Sequence, residues 1–364
     1  MAPSHGGPLR FLAGERALAR LQRDGLTPDM VTGLAGAAGG PKWLALNHLD
    51  RAILGHWLAQ AGSAPRFLIG SSIATWRFAC AAQADPEAAF QRFEEAYMAQ
   101  RYSRRPTRRE ISDQARAILD HVLGDRGHEE ILANDRRRLQ VMTVLSRGPV
   151  ASERALSLNV GLAAAGLANL ASRRALGAFF QRALFHHPAA PPPIPATFDQ
   201  TMQHIPLTGA NLRHALLASG SIPSVMEPET GIPDAPPGVY RDGGLIDYQM
   251  DLPLDADGGV ILFPHYEARV VPGWFDKPLP WRRARREHMR DVLVLAPSDD
   301  WLASLPNGRI PDRKDFYRYA GDDRGRMRDW RRATDATRAL ADDFLETVTS
   351  GTLTARLEPL PTRG

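Results

Sequence analysis

Gly70-Ser71-Ser72-Ile73-Ala74 follows an apolar run at 66–69 and opens a helical pattern carrying Ile73, Trp76, Phe78 and Ala79. A serine centred in a tight turn between strand and helix is lifted clear of the sheet edge. The helix N-terminus beyond it lends positive backbone dipole to any oxyanion that forms. Ser72 is therefore the candidate nucleophile, with the N–H of Ile73 as an auxiliary donor. So short a pentapeptide also serves as an ordinary strand-to-helix turn, and the nucleophile reading needs partners. One is the loop Gly36-Ala37-Ala38-Gly39-Gly40, where consecutive glycines let the N–H groups of Gly39 and Gly40 approach a substrate free of side chains. Pro41 has no N–H and only shapes the turn. Such a loop also suits phosphate binding or close helix–strand packing. However, Gly33, Gly36 and Gly39 are spaced G-x-x-G-x-x-G, and Lys42 stands between Pro41 and Trp43, so neither nucleotide-phosphate motif fits.

The second partner is Arg241-Asp242-Gly243-Gly244, a carboxylate on a glycine turn after the strand-like Val239 and Tyr240. Aspartate is common in turns for local reasons. What singles this one out is the segment upstream, Ala218-Ser219-Gly220-Ser221-Ile222-Pro223, a helix end leading through small residues toward the turn. A Ser–His–Asp triad would need a histidine after the aspartate, and only His265 and His288 qualify. A histidine at a sheet end is more often a hydrogen-bonded structural group, so a Ser–Asp dyad is the simpler arrangement. No metal or cofactor is required: His186 and His187 are merely adjacent, and Asp255-Ala256-Asp257-Gly258 has Tyr266 where a calcium loop needs its bidentate glutamate.

The elements that must hold these residues alternate between short apolar runs and helical periodicity, the pattern of strand–helix units around a mainly parallel sheet. Residues 30–35 read as the first strand and 66–69 as the second, with 139–145, 260–263 and 292–295 also strand-like. Residues 85–135 are charged and helix-prone, a solvated helical region containing the arginine group at 101–109. The stretch 155–172 has no charged residue, yet its Ser157, Asn159, Asn169 and many alanines argue against a membrane span. It runs on into Arg173, Arg174, Phe179, Phe180, Arg182, Leu184 and Phe185, a mixture that fits a buried or cap helix or an interfacial one. Residues 188–195 include five prolines and read as a stiff connector.

At 364 residues with 43% hydrophobic and 24% charged side chains, the chain has a globular composition, which excludes wholesale disorder, a collagen-like repeat and a membrane-embedded body. The net charge of +4 is too small for a dedicated nucleic-acid binder. The single cysteine, Cys80, cannot form an intramolecular disulfide. The first seven residues lack a basic region followed by an apolar run, so a cytoplasmic setting is expected.

Taken in order, the glycine loop, the Gly-x-Ser-x-small elbow, the Ala-Ser-x-x-Ile-Pro segment and the Asp-Gly-Gly turn resemble the patatin-like phospholipases. The match spans about residues 28–80 and 203–254. The resemblance implies a three-layer α/β/α sandwich with a mainly parallel sheet over residues 1–364, and a helical insertion or cap region at 85–200. It implies a Ser72–Asp242 dyad, oxyanion donors at Gly39 and Gly40, Lys42 as the basic residue of the loop, and Gly243 and Gly244 completing the aspartate turn. Ala37-Ala38 stand where Asp-Gly is common, Trp43 and Ala74 replace glycines, and Asp247 stands where asparagine is frequent. The expected activity is hydrolysis of fatty acyl esters through an acyl-enzyme, with a lipid or acyl-ester substrate, no nucleic acid, and peripheral contact with an anionic membrane. The different-class alternative is a catalytically silent lipid- or protein-binding module on the same scaffold, with a phosphate-binding module third.

Overall fold

Runs such as Val292–Pro297 and Val260–Pro264 are buried at every position, which is how strands look when both faces of a parallel sheet are covered. The structure is a computed structural model that describes residues 6–191 and 193–363. The first five residues, read above for a leader, and Pro192 of the proline-rich stretch lie outside the described residues. The fold is α/β with a mainly parallel, mixed sheet. Among the described residues the strands are Leu9–Ala13 (β1), Val31–Gly36 (β2), Arg66–Ser71 (β3), Arg137–Ser146 (β4), Phe180–His186 (β5), Gln203–Pro206 (β6), Glu229–Thr230 (β7), Val239–Asp242 (β8), Val260–Pro264 (β9), Val292–Pro297 (β10) and Leu357–Pro359 (β11). They run β11-β1-β10-β9-β2-β3-β4-β5-β6, with β8 on β4 and β7 on β8. From β10 to β4 every pairing is parallel. Antiparallel pairs join β1 to β10, β5 and β8 to β4, and β7 to β8.

One detail of register builds the site. β3 runs parallel to β4 along residues 137–142 and ends with Ser71 opposite Met142, whereas β8 runs antiparallel along 143–146 and ends with Asp242 opposite Thr143. The two strands approach from opposite directions along one edge of β4 and stop side by side. The elbow after β3 and the aspartate turn after β8 therefore meet, though they are far apart in sequence. The elbow lies just past the carboxyl end of β3, and the carboxyl ends of the strands are where open α/β sheets place their ligands.

Several expectations need correction. The first strand is Leu9–Ala13, ahead of the run at 30–35, and it lies next to β10. Residues 180–186 are a strand, β5, not a continuation of the uncharged helix; Phe180, Leu184 and Phe185 are buried. Residues 85–135 are helical as expected (Pro86–Met98, Arg108–Leu123, Gly127–Leu132), but they are not merely solvated, since Phe90, Phe93, Leu119 and Ile131 enter the main core. The region 85–200 thus supplies β4 and β5 as well as helices.

The uncharged stretch forms the helix Ala155–Ala171. Its inner face, with Leu158 and Ala165, packs on a satellite cluster that includes Phe180, Leu245 and Ile246, so the helix lies over the aspartate turn. Among the described residues no helix is long and apolar enough to cross a membrane.

Candidate active site

Ser72 caps the helix Ile73–Ala81 with φ 55° and ψ −132°, a conformation that costs a non-glycine residue about 1–3 kcal/mol and persists only where surrounding structure imposes it. Here the surroundings do so from both sides. The Ser72 N–H donates to Ser219 Oγ at 2.8 Å, and that hydroxyl donates to the Met142 carbonyl at 2.7 Å, which ties the elbow to β4 through the small-residue segment noted in the sequence. On the far side Thr75 closes the turn, its N–H and its hydroxyl both donating to the Ser72 carbonyl. Ala74, where the elbow motif favours glycine, fits because Gly70 and Gly36 have no side chains. A Cβ on either would come within 2.8 Å of the Ala74 methyl.

Asp242 is buried beside the serine. Its Oδ1 accepts the Gly244 N–H at 2.7 Å, and its own N–H donates to the Ser221 carbonyl at 3.1 Å. The Gly243 carbonyl accepts the N–H groups of Ile246 and Asp247, which closes the turn. Burial pushes the Asp242 carboxyl up to about 6, while the Gly244 N–H, the Ser72 hydroxyl and, at longer range, Arg313 and Lys277 pull it back toward the ionised form. A carboxylate in this range is ionised at neutral pH yet basic enough to accept a proton.

The glycine loop follows β2. Gly40 has φ 56°, a left-handed conformation that suits glycine, and it begins the 3-10 helix Gly40–Leu46. The loop is braced from behind: the Tyr266 hydroxyl donates to the Ala38 carbonyl at 2.6 Å, and the Ala38 N–H donates to the Tyr248 carbonyl at 2.8 Å. Within the hydrogen-bond network of the described residues no protein acceptor takes the N–H groups of Gly39 and Gly40. That of Ile73, at the first position of its helix, has no intrahelical partner. Trp43 stacks on Phe93 with ring centroids 4.1 Å apart, which anchors the helix that carries Lys42.

Two cavities meet at Ser72. The smaller, about 310 Å³, includes Gly39, Gly40, Lys42, Asp242 and Gly244 with Lys277 and Arg313. The larger, about 840 Å³, is mostly apolar and includes Ile73 and Trp76. All the expected site residues are thus brought together except Gly243, which lines neither cavity and acts through the turn. Neither His265 nor His288 lines them. His265 is buried, its Nδ1 against the Glu267 backbone and its pKa pushed down to about 4 by burial; His288 Nδ1 lies 2.9 Å from Asp251 Oδ1.

Sequence reasoning missed Lys277, Arg313 and Tyr248, which stand in the cleft on loops with no local pattern to mark them. Ser219 was legible as a member of its motif, but not as the acceptor that fixes the elbow. No protein-family model, curated protein or solved structure matches this chain.

Proposed function

We propose that this chain is a serine acyl hydrolase of patatin-like architecture, a three-layer α/β/α sandwich, that cleaves fatty acyl esters through Ser72 and Asp242. The observation that carries the reading is the strained Ser72 facing a buried, proton-accepting carboxylate where two cavities meet. Asp242 accepts the hydroxyl proton as Ser72 Oγ attacks the ester carbonyl, and the oxyanion is held by the N–H groups of Gly39 and Gly40, with Ile73 as a third donor. On collapse the C–O bond to the alcohol breaks, and the proton passes from Asp242 to the departing alkoxide. Water then gives a proton to Asp242 and attacks the acyl-serine. The second tetrahedral intermediate expels Ser72, which regains the proton, and the fatty acid leaves. The steps use no cofactor.

The helix Ala155–Ala171 supports a lipid substrate presented at an interface. Its outer face exposes Leu156, Val160, Leu167 and Leu170, with the exposed Trp281 nearby in sequence to Arg282, whose guanidinium donates to the Asn169 carbonyl. Arg154 and Arg174 flank the helix, and Leu162 on its inner side lines the cleft. An apolar surface bordered by cations suits peripheral contact with an anionic lipid surface. Labelling by a fluorophosphonate probe tests the chemistry: the wild type should be modified at Ser72 and Ser72→Ala should not. A folded protein that resists the probe and hydrolyses no ester would instead be a silent binding module.

A further inference from the structure

We infer that the molecule carries a second binding site, at the opposite end of β3 from Ser72, that takes a short-chain carboxylic acid, with the carboxylate among Arg66, Arg136 and Arg137 and the alkyl chain on the leucines beside them. The inference is independent of what Ser72 does. The cavity measures about 230 Å³ and sits where β3 and β4 begin. The six residues of β3, at about 3.3 Å each, put it about 20 Å from the elbow. Register gathers the lining on one face of the sheet. Arg66 pairs with Arg137, and Leu68, two residues along β3, pairs with Leu34 of β2. Register partners share a face, and so do residues two apart in one strand, so the two arginines stand side by side with an apolar strip directly beyond them. Leu54 and Leu58, from the helical turns Arg51–Trp57 and Leu58–Gln60, line the cavity with that strip, and all four leucines are buried.

Like charges directly opposite one another on neighbouring strands are destabilising, and among the described residues no acidic side chain lines the cavity to offset them. The guanidinium groups are held by carbonyls: Arg136 donates to those of Ala61 and Gly62, both at 2.9 Å, Arg137 to that of Ala81 at 2.8 Å, and Arg66 to those of Ala64 and Pro28. A carbonyl orients a cation without cancelling its charge. Asp29 lies 3.8 Å from Arg66, but it is 70% exposed and the same oxygen already accepts the Gly62 N–H at 2.7 Å. Glu130 is engaged by the N–H of Ala84. Burial lowers the Arg66 pKa most, with Asp29 opposing and Arg136 adding to it; burial, Arg136 and Arg66 all press that of Arg137 down. Arg66 is 4% exposed, and its buried Nε meets no acceptor. Such a donor on a charged group lacks a partner that the chain does not supply.

Arginines buried elsewhere in the fold identify the missing partner. Arg77 and Arg182 each hold a carboxylate, of Asp50 and Asp247, in two hydrogen bonds, and the cluster at the start of β3 and β4 has no such group. A carboxylate matches the guanidinium fork with both of its oxygens. The leucines set the rest of the ligand, since they favour an alkyl body that a free phosphate or sulfate lacks. The cavity is smaller than the range of about 300–1,000 Å³ that drug-sized ligands occupy, so the acid is small, with about six carbons.

Calorimetry of the full chain with hexanoate tests the assignment. Affinity should rise roughly threefold per carbon from acetate to hexanoate. Hexanol, which lacks the charge, and inorganic phosphate, which lacks the chain, should each bind at least about tenfold more weakly than hexanoate. Arg136→Met and Arg137→Met should each weaken hexanoate binding about tenfold. Arg136 is exposed, so its replacement leaves the fold intact even if that of Arg137 does not. Lys277→Met and Arg313→Met, in the cleft beside Ser72, should leave the affinity unchanged. Hexanoate should also raise the melting temperature of the wild type and not that of Arg136→Met. Absence of saturable hexanoate binding, an affinity flat along the acid series, or phosphate bound as tightly as hexanoate overturns the inference. So does an affinity lost with Lys277→Met and Arg313→Met but kept in the two arginine-cluster variants, which would seat the acid in the cleft instead. None of these outcomes bears on the hydrolase reading, which the fluorophosphonate decides.

Discussion

Asp50 and Asp242 are both withdrawn from water and both act on the helix Ile73–Ala81, the first through Arg77 within it and the second through Ser72 at its N-cap. Asp50 has a complete partner: Arg77 binds it with two hydrogen bonds of 2.6 Å, and neither residue is exposed. Asp242 has one backbone N–H and the serine hydroxyl, and the cations nearest it, Arg313 and Lys277, act only at longer range. A carboxylate locked to a guanidinium cannot take up a proton without breaking the pair, so Asp50 fixes the helix in place. A carboxylate left without a counter-ion in a buried cleft is poised to accept one. On the proposed mechanism the same chemical group is thus structural in one place and reactive in the other, and the difference lies in its partners.

The largest effects should come from the reactive side. Ser72→Ala and Asp242→Asn should each lower kcat on soluble esters by roughly three orders of magnitude or more, with circular dichroism unchanged. The comparison also fixes the sign of a stability effect. The Asp242 pKa is raised from 3.8 to about 6, so the folded protein binds this proton more tightly than the unfolded chain. Its cost to folding is absent below about pH 4, grows between there and about pH 6, and is constant above. Asp242→Asn should therefore be more stable than wild type at pH 8, by up to about 3 kcal/mol, and equal to it near pH 4. Denaturant melts at the two pH values check this. An inactive variant that is also less stable at pH 8 would make Asp242 a second Asp50. The same group sets the acid limb of activity: kcat/KM should rise as pH passes about 6 and then level for a neutral ester.

Asp50→Ala should do the reverse. It strands a buried guanidinium and should destabilise the protein by about 3–5 kcal/mol, while the kcat of the molecules that remain folded stays within a few-fold of wild type. Ser71→Ala marks a smaller step. The Ser71 hydroxyl donates to the Asp247 carbonyl at 2.8 Å, away from the cleft, and its loss should cost about 1 kcal/mol with most of the activity kept.

How much of this was legible in the sequence follows from how local each signal is. Ser72, Gly39, Gly40 and Asp242 announce themselves because a strand-to-helix turn and a glycine turn are made by neighbouring residues. Their meeting, however, depends on β3 and β8 ending against the same edge of β4, and nothing in either segment encodes that. Lys277 and Arg313 were invisible for the same reason, since each is an ordinary cation on its own loop. Phe180 misled differently. β5 is buried on both faces, so it lacks the alternation that marks a strand, and its Phe–Gln–Arg–Ala–Leu–Phe sequence reads as readily with a helical period. The initial strand Leu9–Ala13 is only five residues long and finds its partner in β10, far along the chain.

The distinction between partnered and unpartnered groups extends to apolar side chains, where the expected effects on stability are smallest. Phe180 and the helix Ala155–Ala171 share one cluster, yet Phe180 is 1% exposed whereas Leu167 and Leu170 on the outer helix face are 70% and 52% exposed. Replacing Leu167 and Leu170 by serine removes no packed contact of consequence, so the melting free energy should move by no more than about 0.5 kcal/mol. Hydrolysis of a monomeric octanoyl ester should likewise hold. If the outer face rests on lipid, sedimentation with anionic vesicles should fall roughly tenfold, because each leucine contributes on the order of 1 kcal/mol or more when its surface leaves water. Phe180→Ser is the control, expected to cost about 3 kcal/mol or more of stability because it opens a cavity beneath the same helix. Unchanged vesicle binding in the double serine variant would sink the docking role. A double variant as unstable as Phe180→Ser would show that its outer face is packed after all.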